Sequence, residues 1–164
     1  MEASPAQTSE QRADVCLPRE LVASPVLLLM RLGFEIKARA TAEFGEEGFT
    51  PYHFGVLSML DEQPRETQAA IADTLRLDRS QLVGLLDSLE ERGLIERKRD
   101  SHDRRRQSVS VTAEGRKVLG RLRAIITRLE DELLTPLATG DRDELYALLL
   151  RLAQHHDPRC PQAL

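Results

Sequence analysis

The stretch that decides the fold reads LDRSQLVGLLDSLEERG at residues 77–93, LIERKR at 94–99, DSHDRRR at 100–106 and QSVSVT at 107–112. Its first segment predicts a helix, because Asp78 is a favoured N-cap and Gln81 follows three residues later, as in a capping box. Leucines then recur at three- and four-residue steps and predict one buried stripe: Leu82, Leu85, Leu86 and Leu89. Gly93 stands where a helix commonly ends.

Residues 94–99 and 107–112 follow as two short predicted strands, joined by a charged turn. In the second strand Val109 and Val111 alternate with Ser108 and Ser110, which is the period of a half-buried strand. The order of helix, strand, charged turn and strand is typical of a winged helix-turn-helix, in which the turn is the wing.

Positive charge is concentrated on this predicted wing. Residues 92–106 hold seven basic and three acidic side chains, a net charge of +4, whereas the whole chain carries −4 and the rest of it therefore −8. An acidic protein with one compact basic projection directs positive charge at one place, as phosphate binding requires. The alternative interpretation is an ordinary solvated hairpin tip, but its attachment to a capped amphipathic helix favours DNA binding.

Two further helices are predicted before residue 78. Thr50 followed by Pro51 indicates a helix start, and that helix continues to about residue 60. Thr67 is predicted to cap a short helix through Leu75, whose inward residues are Ala69, Ala70, Ile71 and Leu75. This short helix, a tight turn at 76–77 and the helix from Asp78 make up the helix-turn-helix.

A long helix is predicted near the start of the chain, from Ser24-Pro25 to Phe44. Its first turns are apolar on several sides, and a second chain is the simplest cover for them. Residues 1–23 before it are predicted to be a flexible arm, because their sequence is polar and contains no apolar core. The absence of a signal peptide or a membrane-length apolar run predicts a soluble, cytoplasmic protein with no membrane partner.

Two helices are predicted after the wing. Thr112 caps a long one with an apolar stripe at helical spacing, and Pro136 ends it. Asp141 with Glu144 predicts a capping box at the start of the last one.

With 164 residues a single domain is expected. The two cysteines, Cys16 and Cys160, lie too far apart for metal-ligand spacing. The sequence thus predicts no cofactor and no metal.

The chain resembles the MarR family of transcriptional regulators from about residue 24 to 154. The resemblance rests on DRSQ at 78–81, LDSLEERGLIER at 86–97, DSHDRR at 100–105 and VSVTAEG at 109–115. It implies a mostly α fold, a winged helix-turn-helix with long N- and C-terminal helices that form a dimerisation platform. The implied organisation is a dimerisation region at 24–46 and 113–156, a DNA-binding region at 49–112 and a tail at 157–164. Many members are repressors that release DNA when a small phenolic or other ligand binds, or when a cysteine is oxidised.

The helix from Asp78 would lie in the major groove with its N-terminal residues at the base edges. Arg79 is suited to guanine and Gln81 to adenine, with Ser80 and Gly84 on the same face. In the alternative interpretation, Ser80 is a plain first-turn residue and Gln81 only a capping partner. Position 84 is often bulky and polar in the family and is glycine here, so either the helix approaches the groove floor closely or specificity depends on the wing and on DNA shape.

The resemblance places Arg105 in the minor groove, with Asp103 bracing its guanidinium. The other predicted wing contacts are to phosphates and come from Lys98, Arg99, Arg104 and Arg106. Thr67 and Gln68 would donate to a further phosphate at a helix N-terminus, although Thr67 is equally explained by capping alone. In a symmetric dimer the expected DNA partner is a double-stranded, pseudo-palindromic operator.

Control by a ligand is predicted at the family's usual pocket, for which the candidate residues are Phe34, Tyr52, His53 and Met59. Their polar tips would orient a small aromatic or phenolic effector, and the alternative is simple core and hinge packing. Cys16 raises redox sensing as an alternative mechanism of control, against an inert thiol.

Two other function classes fit the sequence less well. An enzyme is not expected, because the sequence contains no nucleophile elbow, phosphate-binding glycine loop or zinc motif. A helical protein-interaction module without DNA binding would leave the basic wing unexplained. A steep fall of duplex affinity with salt distinguishes DNA binding from both.

Overall fold

The computed structural model describes residues 17–62, 68–99, 107–157 and 159–160, with backbone only at 99 and 107. The chain forms two compact units, Met1–Arg39 and Ala40–Leu164. Within the described residues the elements in chain order are α1 (Arg19–Ala23), α2 (Pro25–Glu46), α3 (Pro51–Glu62), α4 (Gln68–Leu75), α5 (Arg79–Glu91), β1 (Ile95–Arg99), β2 (Gln107–Val111), α6 (Ala113–Leu134) and α7 (Thr139–His156). The predicted mostly helical, winged helix-turn-helix class is confirmed.

Helix α2 begins at Pro25, as the Ser-Pro pair predicts, and runs two residues beyond the predicted end at Phe44. The short α1 before it was not predicted from the sequence. Large apolar side chains of α2 are exposed over its first turns: Val26, Leu28, Leu29, Met30, Leu32 and Phe34. The prediction of uncovered apolar turns is therefore confirmed.

The core of the second unit is built from the end of α2, Phe49 after it, α3, α4, α5, both strands and α6. The predicted stripe on α5 is confirmed at Leu82, Leu86 and Leu89, while Leu85 is half-buried. In α4 Ile71 is buried as predicted. The prediction for Ala69 is wrong: it is exposed, and Ala72 is buried instead. Residue 69 stands two positions before Ile71, about 200° around the helix, so it lies nearly opposite the side that Ile71 buries in the core.

The turn between α4 and α5 is closed by backbone groups. Arg76 adopts φ +52, and the Leu77 N–H donates to the Ala72 carbonyl at 3.0 Å. This left-handed residue followed by a six-residue backbone bond is a Schellman-type helix end. Because Arg76 is not glycine, the conformation costs on the order of 1 kcal/mol, which the surrounding contacts must offset.

The end of α5 is a second Schellman-type turn, as predicted at Gly93, whose φ is +69. The Leu94 N–H donates to the Leu89 carbonyl at 2.9 Å and leads directly into β1. β1 and β2 pair antiparallel, with Ile95 opposite Val111 and Arg97 opposite Val109. Both valines are buried, which confirms the predicted alternation.

The base of the wing is locked to the start of α6. The Gly115 N–H donates to Thr112 Oγ1 at 3.0 Å, which confirms Thr112 as the N-cap. The same hydroxyl donates to the Gly93 carbonyl at 2.8 Å. A Cβ at position 115 would overlap the Leu94 carbonyl oxygen, so only glycine permits this approach of helix to wing.

Helix α6 ends at Leu134, just before Pro136 as predicted. Of its predicted apolar stripe, Val118, Leu119, Leu122, Ile125 and Leu129 are buried, while Ile126 and Leu133 are half-buried. The predicted capping box of the last helix is wrong. α7 begins at Thr139, because its first intrahelical bond runs from Arg142 N–H to the Ala138 carbonyl at 3.1 Å. Asp141 therefore lies inside the first turn, where a carboxylate still favours the helix dipole.

Helix α7 has no buried residue in the part of the chain that the structure describes. Its exposed large side chains are Tyr146, Leu148, Leu149 and Leu152. Among the described residues, no helix is both long enough and apolar enough to cross a lipid bilayer.

Candidate nucleic-acid interface

The first turn of α5 presents exposed polar side chains at Arg79, Ser80 and Gln81. The capping box is formed: Asp78 Oδ1 accepts from the Gln81 N–H at 2.8 Å, and Gln81 Oε1 accepts from the Asp78 N–H at 3.3 Å. The Ser80 hydroxyl also donates to Asp78 Oδ1 at 2.6 Å. The Ser80 hydroxyl and the Gln81 N–H hold the pKa of the Asp78 carboxyl below its usual range.

This cap limits what Gln81 can read. A bidentate contact with adenine needs both the oxygen and the nitrogen of the carboxamide. Here the oxygen of Gln81 is engaged by the Asp78 N–H, so the amide nitrogen is the atom left to donate to a base or a phosphate. Arg79 is exposed in the same turn. One turn further along, a Cβ built at Gly84 meets no atom within 4 Å, so the helix surface there is open.

The described part of the wing holds one outward-facing cation that the sequence analysis assigned to DNA. Lys98 is exposed, and its ammonium lies 2.7 Å from Glu96 Oε1. The Lys98 contact, followed by the bond from Ser110, lowers the pKa of the Glu96 carboxyl. Arg99 ends β1 opposite Gln107. Five predicted DNA contacts lie outside the described residues: Asp103, Arg104, Arg105 and Arg106 at the wing tip, and Thr67. Gln68, also predicted to contact a phosphate, is the first residue of α4 and is half-buried.

Arg97 does not project with the other wing cations. Its side chain is only 17% exposed, and Nη2 donates to Asp87 Oδ1 of α5 at 2.5 Å. Its Nε lies 3.4 Å from Glu90 Oε2, one turn further along the same helix. Arg97 therefore ties the wing to the helix that is predicted to enter the major groove. In the sequence Arg97 is indistinguishable from the other wing charges, although Asp87 and Glu90 at i and i+3 indicate an acidic face on α5.

Arg92, another residue in the basic count, also contacts the protein. Its guanidinium carbon lies 3.8 Å from the centre of the Phe49 ring, and Nη1 donates to the Gly48 carbonyl at 2.8 Å. Arg92 is the C-cap residue of α5. The cation–π contact thus joins the end of α5 to the corner between α2 and α3.

His53 lies at this corner, half-buried, with its ring edge-on to Phe49 at 5.8 Å between centroids. Nδ1 accepts from the Thr50 N–H at 3.1 Å, so the neutral ring carries its proton on Nε2. That Nε2 is buried and has no hydrogen-bond partner among the described residues. Burial, followed by the nearby Arg92 charge, lowers the pKa of His53.

The other predicted ligand residues differ in setting. Tyr52 is half-exposed at the start of α3, and Met59 packs partly buried against the core of the second unit. Phe34 belongs to the first unit and is 78% exposed. A groove of about 490 Å³ lies elsewhere, on α7, where Leu148, Arg151, Leu152 and His155 line it. Cys16 lies outside the described residues.

Comparisons with known proteins agree with this geometry. Residues 47–106 match the sequence profile of the MarR family. A protein described as a regulator of the hcr operon of Thauera aromatica is 33% identical over 129 residues, which cover 74% of this chain and 78% of that protein.

Two solved structures show the same fold at similar lengths. The transcriptional repressor CouR bound to a 23-mer DNA duplex is 34% identical with a TM-score of 0.74, over 85% of this chain and 99% of that one. CouR from Rhodococcus jostii RHA1 bound to p-coumaroyl-CoA is 27% identical with a TM-score of 0.69, over 87% and 98%. These relatives are regulators and not enzymes, as expected from the sequence. The capped α5, its antiparallel wing and these relatives together establish that the chain belongs to the MarR family of DNA-binding transcriptional regulators.

Proposed function

We propose that this protein is a homodimeric cytoplasmic repressor that binds a pseudo-palindromic operator and releases it when a small aromatic or phenolic ligand binds. The observation that carries the proposal is the two-sided character of α5. Leu82, Leu86 and Leu89 fix its inner face in the core, while Arg79 and Gln81 stand exposed in its first turn. A helix held in this way presents a rigid N-terminal end to a major groove.

The wing supports the same function. Arg97 anchors β1 on α5, and so a tip that carries Arg105 would be held at a fixed distance from the groove-reading helix. We propose that Arg105 enters the minor groove beside it and that Asp103 orients its guanidinium. Lys98, Arg99, Arg104 and Arg106 would then bind phosphates on either side, and Gln68 with Thr67 would bind one from α4.

Dimerisation is proposed from the apolar surface that the chain leaves uncovered. Met30 and Phe34 of α2 are 67% and 78% exposed, and Tyr146 of α7 is 68% exposed. Exposed apolar surface on this scale marks an interface in a soluble protein. A symmetric partner would place two α5 helices about 34–36 Å apart, which is one turn of DNA.

The ligand proposal rests on the corner that holds His53. Its Nε2–H is a buried donor in need of an acceptor, and the Arg92 guanidinium keeps the neighbourhood positive. A phenolate or carboxylate oxygen would satisfy both. Tyr52 and Met59 lie on the same helix, and Phe34 remains a proposed wall residue. A ligand that engages this corner would also act on Arg92 at the end of α5, which gives binding a route to the DNA reader.

The test is fluorescence anisotropy with labelled duplexes from the region beside the protein's own gene and a scrambled duplex of equal composition. Specific binding at least a hundredfold tighter than to the scrambled duplex, and falling steeply with salt, is expected. Parallel titrations with p-coumarate, its CoA thioester and hydrogen peroxide test the release. Release by an aromatic ligand supports the proposal. If peroxide releases the DNA and a Cys16→Ser variant abolishes that release, redox control replaces control by an aromatic ligand. Equal affinity for both duplexes would reject sequence-specific repression.

A further inference from the structure

Two residues that follow α7, Asp157 and Arg159, contact the helix-turn-helix. Arg159 Nη1 donates to the backbone carbonyl of Asp73 and, at 3.3 Å, to that of Thr74, both at the end of α4. The other edge of the same guanidinium forms a two-bonded pair with Asp157: Nε to Oδ1 at 2.7 Å and Nη2 to Oδ2 at 2.7 Å. The planar fork of arginine is thus used on both edges.

The Asp157 carboxylate makes a second contact with the helix-turn-helix. Its Oδ2 accepts from Arg76 Nη2 at 3.1 Å. Arg76 is the turn residue in the left-handed conformation. The bonds from Arg159, followed by the charge of Arg76, hold the pKa of Asp157 well below its usual range, so the carboxylate is charged wherever the protein is folded near neutral pH.

These contacts satisfy groups that the turn itself leaves open. The last carbonyls of a helix lack intrahelical partners and form the negative end of its dipole. In α4 the Ala72 carbonyl is bonded by the Leu77 N–H, and Arg159 reaches the next two carbonyls. A cation therefore caps α4 from 85 residues away in the sequence. It does so at a turn whose residue Arg76 has positive φ, as no other non-glycine residue does within the described part of the chain.

We propose that Asp157 and Arg159 form a clasp that fixes the α4–α5 turn, and that Arg159 is a positioning residue for DNA binding. By holding the turn, the clasp keeps α5 in the orientation that its first residues need at the groove, and less ordering remains to be done when DNA binds. The clasp also attaches the C-terminal end of α7, a helix without buried residues, to the DNA reader. The positioning role rests on the proposed DNA binding; the existence of the clasp does not.

The test compares Arg159→Ala, Arg159→Lys and Arg121→Ala in the full chain. Arg121 is the matched control, because its removal also deletes one arginine and one exposed ion pair, that with Glu47 at 3.5 Å. Amide hydrogen exchange without DNA is expected to accelerate at least tenfold at Leu77 and its neighbours in Arg159→Ala. Operator affinity is expected to fall about fivefold with an unchanged salt slope, because the Arg159 guanidinium is already bonded to Asp157 and to the α4 carbonyls and is not proposed to bind a phosphate.

In Arg159→Lys the ammonium can donate to the α4 carbonyls but cannot form the two-bonded pair with Asp157. This variant should therefore recover part of the protection at Leu77 and part of the operator affinity. Arg121→Ala should change neither the exchange rate nor the affinity. Unchanged exchange at Leu77 would show that no clasp forms in solution. A salt slope lowered by about one would make Arg159 a direct phosphate contact instead. Faster amide exchange in Arg159→Ala with unchanged operator affinity would overturn the positioning role. A wild-type protein that binds no duplex would overturn the proposed function. In that case the exchange data would still decide whether the clasp exists.

Discussion

Arg97 of β1 and Asp87 of α5 form an ion pair that joins the wing to the helix proposed to read DNA, with 2.5 Å between Nη2 and Oδ1. We expect Arg97→Ala to lower the free energy of unfolding by about 1–3 kcal/mol, because it removes a charge-assisted bond and buried stem packing. Urea unfolding measures this, and a double-mutant cycle with Asp87→Ala isolates the pair.

Lys98→Ala is the control on the same strand. Its ion pair with Glu96 is 69% and 47% exposed, so stability should change by less than about 0.5 kcal/mol. Equal losses in the two variants would contradict the special role of Arg97. Operator affinity should also fall in Arg97→Ala, because the wing is then free to change its angle to α5.

Gly84→Ala tests how closely α5 approaches DNA. A Cβ there meets nothing within 4 Å in the free protein, so alanine should stabilise the fold by about 0.5–1 kcal/mol. Gly120→Ala in α6 is the matched control, since its added Cβ is equally free. If α5 lies against the groove floor, Gly84→Ala weakens operator binding despite its higher melting temperature, and Gly120→Ala does not. Equal operator affinity in the two variants would assign specificity to the wing and to DNA shape.

The pKa of His53 predicts a pH dependence of stability. Burial and Arg92 lower it from 6.5, so the unfolded chain takes up a proton before the folded one does. The free energy of unfolding is therefore expected to decrease as pH falls below about 6.5, and to be insensitive to His53 above it. His53→Asn keeps an acceptor for the Thr50 N–H and should flatten the profile between pH 7 and 5 in thermal melts. A profile that keeps its slope would refute this assignment.

Arg105→Ala remains the direct test of the wing tip. We expect operator binding to weaken by about 1–3 kcal/mol and the salt slope to drop by roughly one. A gel-shift titration at several salt concentrations measures both. Arg116→Ala is a suitable control, because that side chain is occupied by the Val111 carbonyl at 3.4 Å. Unchanged affinity in Arg105→Ala would remove the wing tip from the interface.

Local hydrogen bonds account for what the sequence predicted well. The caps at Asp78 and Thr112 and the turn at Gly93 each depend on groups within five residues of one another, so their residue types alone indicate them. The helical spacing of leucines likewise fixed the inner face of α5. The capping pattern at Asp141 failed because a carboxylate is equally favourable inside the first turn.

Partners distant in sequence account for what was missed. Arg97 was counted as wing charge, but Asp87 lies ten positions earlier and on another element. Nothing in the order of residues links Arg159 to the carbonyls of α4. Ala69 and Ala72 have the same side chain, and only the packing of α4 in three dimensions decides which one is buried.

The bare surface of α7 has a thermodynamic consequence. An 18-residue helix with no fully buried side chain gains little from packing on its own chain, and isolated helices of this length are marginal in water. We therefore expect association with a second chain to stabilise α7, so that melting of this helix is a bimolecular event. Dilution from micromolar to nanomolar concentration should lower its melting temperature, and the cell's protein level thereby sets how much folded regulator exists.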